Sequence, residues 1–114
     1  MTIEHYEFGK IVIDKKIFTS DIIIYPEGRV EDHWWRKQGH RLTREDIQSL
    51  IAAEPEVIVA GTGNNGQMKP EPGLEAFLAG RNIQLIARPS SEAIIIFNDR
   101  STREKTGACF HLTC

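Results

Sequence analysis

Cysteine is nearly absent from this chain of 114 residues: only Cys109 and Cys114 occur, five apart. A disulfide framework needs more, so both are expected as thiols in a reducing compartment. Long apolar runs are missing too. The longest, Ile22 to Pro26 and Ala93 to Phe97, fall far short of a bilayer span. The opening MTIEHYEFGK carries Glu4 and Glu7 and lacks the apolar core of a signal peptide. These absences predict a cytoplasmic protein without membrane association. Nor does one sign of charge prevail, because 14 Lys and Arg face 16 Asp and Glu for a net charge of −2. Non-specific nucleic-acid binding needs a basic surface, so no nucleic-acid partner is expected. The short cluster Arg100, Arg103 and Lys105 reads as a solvated loop.

What remains is an ordinary globular composition, 40% apolar and 26% charged. The length suits one domain over residues 1–114, with no repeat or linker to divide it. Residues 7–13 alternate in the manner of a strand, Asp14-Lys15-Lys16 reads as a turn, and Ile22 to Tyr25 is an apolar strand. Pro26-Glu27-Gly28 is a second turn, and Arg29 to Trp35 is expected as a further strand. The period then changes. Thr43 and Asp46 form a short capping box, Leu42 and Ile47 a hydrophobic staple, and Ile47, Leu50 and Ile51 a helical stripe that Pro55 ends. Val57 to Ala60 is a wholly apolar strand, the pattern of a strand covered on both faces. A second helix, marked by Leu74, Phe77 and Leu78, closes at Gly80, and Ile83 to Ala87 is another strand. Pro89 to Glu92 starts a third helix with Ala93, Ile94 and Phe97 inward, although the β-branched Ile94-Ile95-Ile96 also permits a strand. Gly107 to Leu112 is the last strand. This strand–helix alternation predicts an α/β fold with right-handed crossovers and a mostly parallel central sheet.

Three constellations bear on function. Gly61-Thr62-Gly63-Asn64-Asn65-Gly66 spells a dinucleotide fingerprint after a strand. Pro70 and Pro72 delay the helix that should receive the pyrophosphate, and 48 residues after Gly66 are too few for the usual nucleotide-binding sheet. No nicotinamide cofactor is expected. A glycine-rich loop at a strand's C-terminal end still suits a small anion or polar metabolite, bound by backbone amides and the Thr62 hydroxyl. A tight turn that needs glycine explains it equally well.

Second, Cys109, His111 and Thr113 share one face of the last strand. Side chains two apart lie roughly 7 Å apart, too far for a direct thiol–imidazole bond without bending. His33 and His40 lack ligand spacing, so no metal site is expected, and His111 reads best as a buried, hydrogen-bonded histidine. Third, adjacent Trp34 and Trp35 point to opposite faces, one into the core and one toward solvent beside Arg36 and Lys37. An exposed tryptophan next to such charges is a typical interface anchor; a lid over the sheet edge is the plainer alternative.

Taken together, several segments resemble one family. They are Phe8-Gly9, Asp21 to Arg29, Trp34-Trp35, Val59-Ala60-Gly61-Thr62-Gly63, Ser90-Ser91-Glu92-Ala93 with Asn98, and the ending Phe110-His111-Leu112-Thr113-Cys114. The family is domain of unknown function 498, or Mth-938-like. It includes an adipogenesis-associated protein and a mitochondrial complex I assembly branch. The resemblance covers nearly the whole chain. It implies a three-layer α/β fold with a mixed central sheet and an additional N-terminal β layer, and it makes G-T-G the relevant unit. It carries over no catalytic residues. Ser90 stands where relatives often have Thr, and Phe97 where many have Tyr. Two functional readings follow. The leading one is a non-enzymatic binding or assembly module with a protein partner at Trp34 and Trp35. The alternative is a small-molecule or anion pocket at the strand ends, formed by Gly61, Thr62, Gly63, Ser90, Asn98 and His111, with catalysis left open.

Overall fold

The computed structural model describes residues 1–114. Three short antiparallel strands open the chain: β1 (Ile3–Glu7), β2 (Lys10–Ile13) and β3 (Lys16–Phe18). The single strand expected over residues 7–13 is therefore broken. Gly9 takes a positive φ of 78° and turns the chain between β1 and β2. Next come β4 (Ile22–Ile24) and the two-residue β5 (Val30–Glu31). The strand expected over residues 29–35 is cut short because His33 adopts a left-handed φ of 54°, and residues beyond it form a long loop.

That loop leads through β6 (Arg41–Leu42) to a single 3-10 turn, Glu45–Ile47, and then α1 (Gln48–Ala52). The expected capping box is present: the Thr43 N–H donates to Asp46 Oδ2 at 2.9 Å, and the Asp46 N–H reaches Thr43 Oγ1 at 3.3 Å. There follow β7 (Val57–Thr62), β8 (Lys69–Pro70), α2 (Leu74–Ala79), β9 (Gln84–Arg88), α3 (Ser90–Arg100) and β10 (Thr106–His111). The stretch Ile94-Ile95-Ile96 lies in α3 and not in a strand. Its β-branched residues are tolerated because Ala93 and Phe97 set a helical inner face.

The central sheet has the order β5-β4-β10-β7-β9. β10, β7 and β9 run parallel, β4 opposes β10, and β5 opposes β4, so only β4 runs against the rest. Period-two alternation sends side chains into two cores. Ile23, Ile58, Ala60 and Cys109 face α1 and α2. Ile22, Ile24, Val57, Val59, Ala108 and Phe110 face the other way, toward α3 and the N-terminal β layer. This is a three-layer α/β arrangement with a mixed, mostly parallel sheet. No helix is long and apolar enough to cross a membrane.

Candidate functional site

The parallel strands β7 and β10 end side by side at Thr62 and His111, which pair in register. Ligands bind at such strand ends in open α/β sheets, and a cluster of polar side chains gathers at this one. His111 is 7% exposed and lies on the face that carries Cys109. Its Nδ1 is 2.8 Å from Asp21 Oδ2. Arg36 Nη2, which only donates, lies 3.0 Å from the same nitrogen, so Nδ1 stands between a carboxylate acceptor and a guanidinium donor. Asp21 sits just before β4. Its Oδ2 also accepts from Arg36 Nη1 at 2.7 Å, and its Oδ1 accepts from the Leu112 N–H at 2.8 Å. Burial pushes the Asp21 carboxyl up, but the bonds from His111, Arg36 and the Leu112 N–H outweigh it and hold the carboxyl below its usual range.

Arg36 comes from the 32–40 loop, with its guanidinium 4.7 Å above the Trp34 ring and its Nη2 donating to the Gly39 carbonyl at 2.8 Å. Two buried atoms of the cluster have no hydrogen-bond partner, Arg36 Nε and His111 Nε2. The His40 ring meets His111 edge-on, with centroids 6.3 Å apart.

The G-T-G loop lies against this cluster. Gly63 has a φ of 104°, and a Cβ there would fall 2.3 Å from the Cys114 carbonyl carbon and 2.9 Å from His111 Cδ2. Glycine is required on both counts. Gly61 is required for space alone, since a Cβ would strike the Phe110 ring at 2.3 Å and Ser90 Oγ at 2.9 Å. The Ser90 hydroxyl donates to the His111 carbonyl at 2.7 Å and accepts the Gly63 N–H at 3.0 Å, while the Ser90 N–H reaches the Gly63 carbonyl at 3.0 Å. These bonds fasten α3 to the two strand ends. The Gly66 N–H closes on the Gly63 carbonyl at 3.2 Å, and β8 follows where a dinucleotide fold would start a helix.

Five of the six residues anticipated for a strand-end pocket thus assemble: Gly61, Thr62, Gly63, Ser90 and His111. Asn98 is elsewhere. It clamps the β1 backbone, with Oδ1 accepting the Ile3 N–H and Nδ2 donating to the Ile3 carbonyl, both at 2.8 Å. Of the tryptophan pair, Trp34 is buried with its Nε1–H on the Asp46 carbonyl at 2.9 Å, whereas Trp35 is 77% exposed. Sequence reasoning assigned no role to Asp21 or to Arg36 as a ligand of Asp21. The available signal was an acidic residue immediately before a wholly buried strand. Cys109 is fully buried, and burial pushes its thiol up to about 12, which leaves it inert.

A mixed five-stranded sheet with helices on one face and a β layer with α3 on the other defines the three-layer Mth938-like class of α/β domain. The family model "Protein of unknown function (DUF498/DUF598)" matches residues 3–111, and the chain belongs to this family. The conserved hypothetical protein PH1505 from Pyrococcus horikoshii OT3 is similar along its whole length, with 28% identity, 100% of each chain covered and a TM-score of 0.85. MT938 aligns at 25% identity over 99% of this chain and 98% of its own, with a TM-score of 0.82. A Mth938-like domain from Bordetella pertussis shares the fold at 18% identity and a TM-score of 0.62, over 97% of this chain and 85% of its own. Among curated proteins nothing matches the chain.

Proposed function

We propose that this chain is a non-enzymatic binding module that engages a protein partner through the 32–40 loop, with Trp35 as the anchor. The observation that carries this reading is the contrast between Trp35 and its neighbours. The ring is 77% exposed, yet it stands between two residues that are fixed in place. The Trp34 N–H donates to the Asp21 carbonyl at 2.9 Å, and Arg36 is held by Asp21 and Gly39. The backbone beneath Trp35 is thereby ordered before any partner arrives, which lowers the entropy cost of binding. Lys37 on this loop and Arg41, which opens β6 just after it, are exposed, so the fitting partner is a protein with an apolar pocket rimmed by carboxylates. Against a ligand pocket at the G-T-G loop weighs the internal use of its donors, since Gly63 and Ser90 bond to each other.

The test places a photo-crosslinking amino acid at position 35 and identifies the captured protein, whose affinity is then measured in purified form. Trp35→Ala is expected to weaken that complex by about 30-fold or more, the size of an interface hot spot. An affinity unchanged by Trp35→Ala overturns the reading.

A further inference from the structure

We propose that the groove between α1 and α2 binds phosphate monoesters, and that Arg44 and Arg81 hold the phosphate. Arg44 precedes the 3-10 turn that leads into α1, and Arg81 follows α2. Both backbones are fixed: the Arg44 N–H donates to Glu71 Oε2 at 3.0 Å, and the Arg81 N–H to the Leu78 carbonyl at 2.9 Å. Their side chains meet at one aromatic ring, that of the partly buried Phe77. The Arg44 guanidinium lies 4.6 Å from its centroid and the Arg81 guanidinium 5.5 Å. Neither guanidinium has a carboxylate or any other hydrogen-bond acceptor as a partner in the protein. Arg29, Arg36, Arg100 and Arg103 are treated otherwise, each meeting an aspartate or a glutamate. Two like charges are thus gathered at one ring with no counter-ion, and an anion between them relieves their repulsion. A free arginine loses rotamer freedom when it captures an anion; stacking on Phe77 has already removed part of that freedom.

The ligand class follows from the groove and its charges. Its volume of about 690 Å³ falls within the range of small-ligand sites, roughly 300–1,000 Å³. That is more room than a phosphate needs, so the ligand carries an organic body. The planar forks of two guanidiniums match the oxygens and the double charge of a phosphate ester. A single carboxylate would leave one of the two cations unanswered. Glu45 lines the same groove and sets a limit on the body. A second anionic group would meet this carboxylate, whereas a hydroxyl can donate to it and to the Gln48 side-chain carbonyl. Ile51 and Ala52 supply an apolar wall beside them. The fitting ligand is therefore a monoester with a neutral, hydroxyl-bearing body, the chemistry of a sugar monophosphate.

The experiment titrates glucose 6-phosphate into the isotope-labelled protein and follows the backbone amides by NMR. Glucose, inorganic phosphate and fructose bisphosphate serve as comparisons. The amides of Arg44, Gln48 and Arg81 are expected to shift saturably, with a dissociation constant of about 1 mM or tighter. Inorganic phosphate should bind the same residues about tenfold more weakly, because it leaves the groove unfilled. Glucose should leave them unmoved. Arg44→Gln and Arg81→Gln should each weaken the ester about tenfold. Both side chains are exposed, so these variants should fold and melt as the parent does. Fructose bisphosphate, despite its extra charge, should bind no more tightly than glucose 6-phosphate, and Glu45→Gln should reverse that order. An ester that binds no better than inorganic phosphate, shifts confined to other residues, or an affinity unchanged in both arginine variants overturns the proposal.

Discussion

Two polar side chains expected to share one pocket, Asn98 and His111, instead stand in different regions and are treated in opposite ways. Asn98 faces the N-terminal β layer and commits both ends of its amide to the backbone of Ile3. His111 faces the helical side and commits only Nδ1. The first side chain fastens a layer and has nothing left to offer. The second leaves a ring nitrogen buried without a partner, which costs roughly 1–3 kcal/mol. Satisfied polar atoms hold a fold together, and an unsatisfied one in a site otherwise well bonded marks where a fold keeps capacity for something else.

The sharpest way to break this contrast is to remove the carboxylate that organises the His111 side. Asp21→Ala strands the Arg36 guanidinium, whose side chain is 5% exposed. The expected loss is about 3–5 kcal/mol, read as a lower midpoint in urea. Asn98→Ala should cost less, about 2 kcal/mol, because it orphans one N–H and one carbonyl and no charge.

Acid sharpens the same comparison. The Asp21 carboxyl is held below its unfolded value, near 3.9. Its contribution to stability is therefore whole above that value and fades as pH falls through the lower, folded one. Stability of the native protein should decline below about pH 4, and an Asp21→Asn variant should decline less over that window. Melting curves from about pH 2 to 7 give both slopes. Smallest of all, Trp35→Ala should change stability by no more than about 0.5 kcal/mol, since the ring is mostly in water.

Much of this architecture could be read from residue order because it rests on local periodicity. The wholly apolar Val57 to Ala60 became a strand covered on both faces, and Thr43 with Asp46 capped as expected. Where reading failed, a single backbone angle decided. Gly9 and His33 each turn the chain through positive φ, and neither lies in a Gly-Asn or Pro-Gly turn signature. The site was half legible. Gly61, Thr62, Gly63, Ser90 and His111 could be gathered because β7 and β10 end together. Asp21 and Arg36 could not, since their meeting with His111 spans most of the chain and depends on β4 entering the sheet against its neighbours. Asn98 was misplaced for another reason: it lies eight residues along α3 from Ser90, roughly 12 Å of helix rise away from the strand ends.

β10 lies at the centre of the sheet and is the last of its strands in chain order, paired with β4 on one side and β7 on the other. On the ribosome, the edges of β4 and β7 thus wait unpaired while everything up to Lys105 is translated. Such edges invite pairing with other chains, and distant pairings form slowly. A chain truncated before Thr106 would leave both of these edges unpaired and is expected to be degraded.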